Sequence, residues 1–204
     1  MLIDLTHTIV NGLPPFPGDA ETELVQSRFF QADGYNNHQL NINMHAGTHM
    51  DGPMHLTDCY EYLNEVPLES FIGEGCLLDV RGQDVIDYKD EYEQHIGEHQ
   101  IIVVYTGHSH RFGEPGYFTD YPVLTPAFAD LLVRKKTKMV ALDTPSPDRD
   151  PYEVHTRLFE NRILIAENLM NVDKLLDVQA FEIIALPLKI RADSSIARIV
   201  ARVL

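Results

Sequence analysis

The chain has 204 residues, 44% of them hydrophobic and 23% charged. That is ordinary usage for one globular domain, and it excludes whole-chain disorder, a collagen-like or coiled-coil protein and, with only two cysteines, a disulfide scaffold. Sixteen Lys and Arg against 31 Asp and Glu leave a formal charge of −15, which repels phosphate backbones and anionic lipid, so neither nucleic acid nor a membrane is expected as a partner.

The opening Met1-Leu2-Ile3-Asp4-Leu5-Thr6-His7 lacks the basic start and apolar stretch of a signal peptide. No apolar run approaches the ~20 residues of a membrane helix. A cytoplasmic protein with reduced Cys59 and Cys76 is expected. Residues 11–22, rich in Pro and Gly, read as an irregular loop. Leu40, Ile42 and Met44 alternate with Asn41 and Asn43, which predicts a half-buried strand running into His45. Residues 60–64 and 84–92 read as short helices, and 75–80 as a strand. Ile101–Tyr105 is a fully apolar strand, followed by a Gly- and Pro-punctuated loop over 106–122. Thr125 and Pro126 supply an N-cap and a first-position proline, and Phe128, Leu131 and Leu132 follow at helical spacing. Lys135, Lys136 and Lys138 sit where cations suit the helix dipole. Strands are predicted at 139–142, 163–166, 182–186 and 196–204, the last with one wet face. The sum is a single mixed α/β domain over residues 1–204, with strand order unreadable from the pattern.

The ten histidines are unevenly placed. His45-Ala46-Gly47-Thr48-His49-Met50-Asp51-Gly52-Pro53-Met54-His55 puts three imidazoles and a carboxylate within eleven residues. Gly47, Gly52 and Pro53 oppose a continuous helix, so a strand end followed by a tight loop is the predicted arrangement. Nitrogen and carboxylate donors together suit zinc, manganese or iron better than calcium or magnesium. With no cysteine in the run, an open site that keeps a water fits better than a closed structural one. Thr48 reads as a turn cap, His95 and His99 as surface residues, and His108 and His110 as parts of a solvated loop. His38 is left undecided, as is His7, which is a candidate to line the pocket.

The run fits H-x-G-T-H-x-D-x-P-x-H, which resembles the motif of a family of metal-dependent hydrolases, called the cyclase family, that includes bacterial kynurenine formamidase and isatin hydrolase. The resemblance extends along nearly the whole chain. It takes in Asp4-Leu5-Thr6-His7, Phe16-Pro17-Gly18-Asp19, Thr106-Gly107, Asp143-Thr144-Pro145-Ser146, His155 with Leu158, Glu167-Asn168-Leu169 and Ala185-Leu186-Pro187-Leu188-Lys189. It implies a swivelling ββα-type domain, assembled as a homodimer or homotetramer. It implies zinc, one ion or two, or manganese, held by His45, His49, Asp51, His155 and Glu167, with Asp51 bridging where two ions bind. His55 would be the acid/base residue. The implied activity is hydrolysis of an amide C–N bond, foremost in an aryl formamide such as N-formylkynurenine. The alternatives are a cyclic amide of the isatin type and a metal-dependent lyase without net hydrolysis. A bound ion would lower the pKa of water toward about 7. Phe16 and Phe112 are the expected substrate contacts, with Tyr117 and Phe118 as further aromatic candidates. One departure stands out: His108-Ser109-His110-Arg111-Phe112 occupies the place where formylkynurenine-acting members carry an aromatic residue, and the chain has no Trp. A serine hydrolase is a poor alternative, because no G-x-S-x-G elbow occurs.

Overall fold

Ile101-Ile102-Val103-Val104-Tyr105 is apolar at every position, so the strand it forms must be covered on both faces. The computed structural model, which describes residues 1–204, shows how. In chain order the elements are β1 (Leu2–Asp4), β2 (Glu23–Arg28), α1 (Phe30–Asp33), β3 (Asn37–Asn41), β4 (His49–Asp51), β5 (Ile72–Asp79), β6 (Val85–Ile86), α2 (Asp90–His95), β7 (Ile101–Tyr105) and β8 (Val123–Leu124). They continue with α3 (Pro126–Arg134), β9 (Met139–Leu142), α4 (Glu153–Glu160), β10 (Leu164–Glu167), β11 (Phe181–Pro187) and β12 (Ser194–Val203).

The main sheet runs β1-β12-β11-β5-β7-β9-β10-β4, and β4 pairs back onto β12. Seven strands therefore close into a barrel, with β1 added outside the ring. Strands β5, β7, β9 and β10 are parallel neighbours, while β11, β12 and β4 join antiparallel. The parallel half needs crossovers, and α2, α3 and α4 lie in them. One core cluster draws Met50, Val103, Ala141, Ala166, Ile183 and Ile199 from strands all round the ring, with Leu77 of β5 packed on it, and so fills the interior. The alternate residues Ile102, Val104, Val140 and Ile165 point outward into a second cluster, under Phe128 and Leu131 of α3 and Leu158 of α4. The period of two along each strand makes both layers from one sheet.

The mixed α/β architecture matches the expectation, and β7 and β9 start and end where their apolar runs do. Helix α3 forms as predicted: the Thr125 hydroxyl accepts from the Phe128 N–H at 3.2 Å, and Phe128, Ala129, Leu131 and Leu132 are buried. Three predictions are corrected. The strand expected over Leu40, Ile42 and Met44 ends at Asn41 and is exposed throughout, because β3 pairs only with β2 in a separate ribbon that no other layer covers. The helix expected over 84–92 divides into β6 and α2. The one expected over 60–64 is a single 3₁₀ turn at Leu63–Glu65. Cys59 and Cys76 are both free, and no helix is long and apolar enough to cross a membrane.

Candidate metal centre

The strand lies inside the histidine-rich run rather than before it: β4 is His49-Met50-Asp51. Alternation along a strand points His49 and Asp51 to one side and Met50 to the other, into the core. Antiparallel pairing then sets Glu167 of β10 opposite His49. Cross-strand partners lie close enough for their side chains to meet, and His49 Nε2 stands 3.3 Å from Glu167 Oε2. Position 47 favours glycine, since its φ is +64° and a Cβ there would stand 2.8 Å from Leu13 Cδ2, which would have to shift. Its carbonyl accepts from His49 Nδ1 at 2.8 Å, which leaves the Nε2 lone pair facing the centre.

His155 arrives on the first turn of α4, a helix without a local signal at its N-cap, Tyr152. Asp148 supplies what Tyr152 lacks. One carboxylate oxygen accepts from the Val154 N–H at 2.6 Å and the His155 N–H at 3.3 Å, and the other accepts from His155 Nδ1. His155 Nε2 is thereby turned to Glu167 Oε1 at 3.4 Å. On the open side, His45 Nδ1 lies 3.0 Å from Asp51 Oδ1, while its Nε2 meets Asp193 at 3.2 Å and the Ser194 hydroxyl at 2.9 Å. Asp193 also holds His55 Nδ1, at 3.1 Å.

Two donor sets share Asp51. His45, His49 and Asp51 form one, and Asp51, His155 and Glu167 the other; within each, the ligand atoms lie within 4.8 Å of one another. The residues fit a cation on an observation independent of the motif. His49 Nε2 and Asp51 Oδ1 are buried and have no hydrogen-bond partner, although buried polar atoms are nearly always paired. They face oppositely charged or lone-pair-bearing neighbours in contact geometry rather than in hydrogen bonds, as ligands around a shared ion would. Imidazole and carboxylate donors in that number suit zinc or manganese.

The electrostatics agree. Burial pulls His45 down, but the carboxylates of Asp193 and Asp51 beside it outweigh that and hold its pKa up at about 10. His155 is likewise pulled down by burial and pushed up to about 9 by Asp148 and Glu167. Burial lowers His49 too, and Asp51 and Glu167 more than reverse it. Asp51 is raised by burial and driven well below the usual carboxylate range by His49 and His45. Asp193 is held low by its bonds to His45 and His55. This is a pocket that attracts positive charge, as a proton or as an ion.

All six expected donor and acid/base residues, His45, His49, Asp51, His55, His155 and Glu167, line one cavity of about 380 Å³ together with Phe16, Phe118 and Asp193. Phe112 does not: its ring stacks on His7 at 3.9 Å and meets Tyr117 edge-on, outside the cavity wall. Tyr117 is fully buried and bonds Asn168, leaving Phe118 as the second aromatic wall. His7 lines a separate cavity. His108 is buried against the Tyr117 carbonyl rather than solvated, whereas His110, His95, His99 and His38 are exposed. Thr48 does not cap its own turn; it donates to the Asn168 carbonyl and accepts the His7 N–H, tying three segments together. Asp148 and Asp193 were missed. The spacing of Asp148 before His155 carries a usable signal, a carboxylate ahead of a histidine with no other cap, but nothing local marks Asp193.

Comparison with known proteins agrees with the motif. The model of the Cyclase family, described as "Putative cyclase", matches residues 3–149. An uncharacterized protein of Methanocaldococcus jannaschii is 30% identical over 93% of this chain and 91% of its own. A kynurenine formamidase of Bacillus cytotoxicus is 28% identical over 98% and 96%. The solved structure of isatin hydrolase A from Labrenzia aggregata superposes with a TM-score of 0.86 over 98% of this chain and 93% of that one, at 22% identity. With the family model covering most of its length, the chain belongs to the cyclase family.

Proposed function

We propose that the protein is a metal-dependent hydrolase that cleaves an amide C–N bond, with an aryl formamide such as N-formylkynurenine as the foremost substrate. One observation carries this: convergent nitrogen and carboxylate donors leave His49 Nε2 and Asp51 Oδ1 buried and unpaired, beside His55, which is absent from both groups that share Asp51. His45, His49, Asp51, His155 and Glu167 would hold zinc or manganese, with Asp51 between two positions. When bound, the ion lowers the pKa of water to about 7 and polarises a carbonyl.

The chain's own residues do the rest. Asp193 accepts from His55 Nδ1, which fixes the tautomer and leaves Nε2 free for proton transfer. His55 is half-buried at the cavity wall, so it can take a proton from water and return it to the leaving amine. Asp148 and the Gly47 carbonyl keep His155 and His49 aimed at the centre. Phe16 and Phe118, 5.7 Å apart and edge-on, offer an apolar wall to an aryl ring. The test is N-formylkynurenine turnover with metal content followed in parallel, before and after chelation and after zinc or manganese add-back. Chelator-sensitive turnover restored by metal, with solvent oxygen entering the formate, supports the proposal. Bound metal without turnover rejects the formamidase substrate and makes cyclic amides the next to try. Turnover without solvent oxygen in the product indicates a lyase.

A further inference from the structure

Phe16-Pro17-Gly18-Asp19 is a tight turn closed by the Asp19 N–H on the Phe16 carbonyl at 3.0 Å. Pro17 and Gly18 take its middle positions, and Gly18 has a φ of +103°, the left-handed region that glycine enters at no steric cost. A turn of this kind brings its first and fourth residues together. Both reach the same place: Phe16 and Asp19 line the cavity that holds the metal donors. Phe16 meets Phe118 edge-on, and Phe118 meets Tyr117 edge-on at 4.9 Å, so the wall beside Asp19 is aromatic.

Four carboxylates line the cavity: Asp19, Asp51, Glu167 and Asp193. Three of them face histidines. Asp51 lies against His45 and His49, Glu167 against His49 and His155, and Asp193 against His45 and His55. Asp19 belongs to none of the donor sets, and its carboxylate makes no hydrogen bond or ion pair with another group of the chain. Its turn is closed by backbone alone, so the side chain is free to serve a ligand.

We propose, on the reading of this cavity as an aryl amide hydrolase site, that Asp19 is a specificity-determining residue that receives a protonated amine on the substrate's side arm while Phe16 and Phe118 pack its ring. The substrate class is then an aryl amide bearing an ammonium group. A neutral analogue would leave the carboxylate unmatched, and an anionic one would meet a like charge. A charge-assisted hydrogen bond at a part-buried site is worth roughly ten- to hundredfold in affinity.

The test compares kynurenine with its desamino counterpart by calorimetry on the metal-loaded protein, using wild type, Asp19→Asn and Asp19→Glu. Kinetics with the two matching formamides run alongside. Wild type is expected to prefer the amine. Asp19→Asn should reduce that preference by about tenfold or more, through KM rather than kcat, and Asp19→Glu should restore part of it. An unchanged melting temperature in Asp19→Asn keeps folding out of the comparison. Equal losses for both ligands, or none for either, overturn the proposal. Turnover with no amine preference overturns it while the hydrolase reading stands. Amine-selective binding lost in Asp19→Asn, without turnover by wild type, upholds the subsite and rejects the formamidase reading.

Discussion

The two sides of the candidate metal centre are built differently. His49, Asp51, His155 and Glu167 are 1–5% exposed and stand on barrel strands or on a helix packed against them. His45, His55 and Asp193 have side chains 21–37% exposed and stand on loops and a 3₁₀ turn. Strand register sets the first group and leaves two of its atoms without partners, a cost that a bound cation removes. The second group is linked through Asp193, which meets both His45 Nε2 and His55 Nδ1 and leaves His55 Nε2 open, and proton transfer needs contact with solvent and substrate. The buried side is suited to holding an ion; on the open side His45 completes a donor set with His49 and Asp51, while His55 and Asp193 are suited to moving protons.

The sharpest way to break this division is Asp51→Ala. It removes the carboxylate common to both donor sets, so metal content should fall to background; a metal-replete variant refutes the site. Next is His55→Ala, which should lower kcat by roughly 10²–10⁴ with metal content intact. Loss of metal instead would make His55 a ligand and erase the distinction between the two sides. Asp148→Asn acts behind the buried side: metal affinity should fall about 10- to 100-fold, because His155 loses the acceptor that orients it. The smallest effect sharpens the contrast from outside the site. His7 is a half-buried imidazole with no carboxylate beside it, its buried Nε2 unpartnered, and this burial lowers its pKa to about 4. The unfolded chain therefore binds a proton that the folded chain refuses. His7 leaves stability intact above about pH 6.5 and costs it progressively as pH falls toward about 4, with a slope of no more than one proton. His7→Phe should flatten that part of the melting profile relative to wild type, and a variant profile parallel to wild type would show that His7 does not titrate there.

Much of this was legible because it is local. A helix with its own cap, such as α3, and strands apolar on both faces, such as β7 and β9, declare themselves in a few residues. So do His45, His49, Asp51 and His55, which share one short run. Helix α4 was not legible, because its cap is the Asp148 side chain rather than its own N-cap residue. Leu40 misled because alternation promises a buried face only if something covers it, and the β2–β3 ribbon has no cover. Phe112 misled because an aromatic residue in the right loop can turn to either side of it.

The sequence by itself determined the donor chemistry, the two-sided strands and the class of fold, since each follows from residue type and short-range period. Only the tertiary structure decided that β12 closes on β4, and with it that Asp193 reaches His45 and His55 from far along the chain. Closure depends on the register of strands distant in sequence, which no local pattern encodes. That register brings the histidine-rich segment together with Glu167 and Asp193, which lie more than a hundred residues further along the chain.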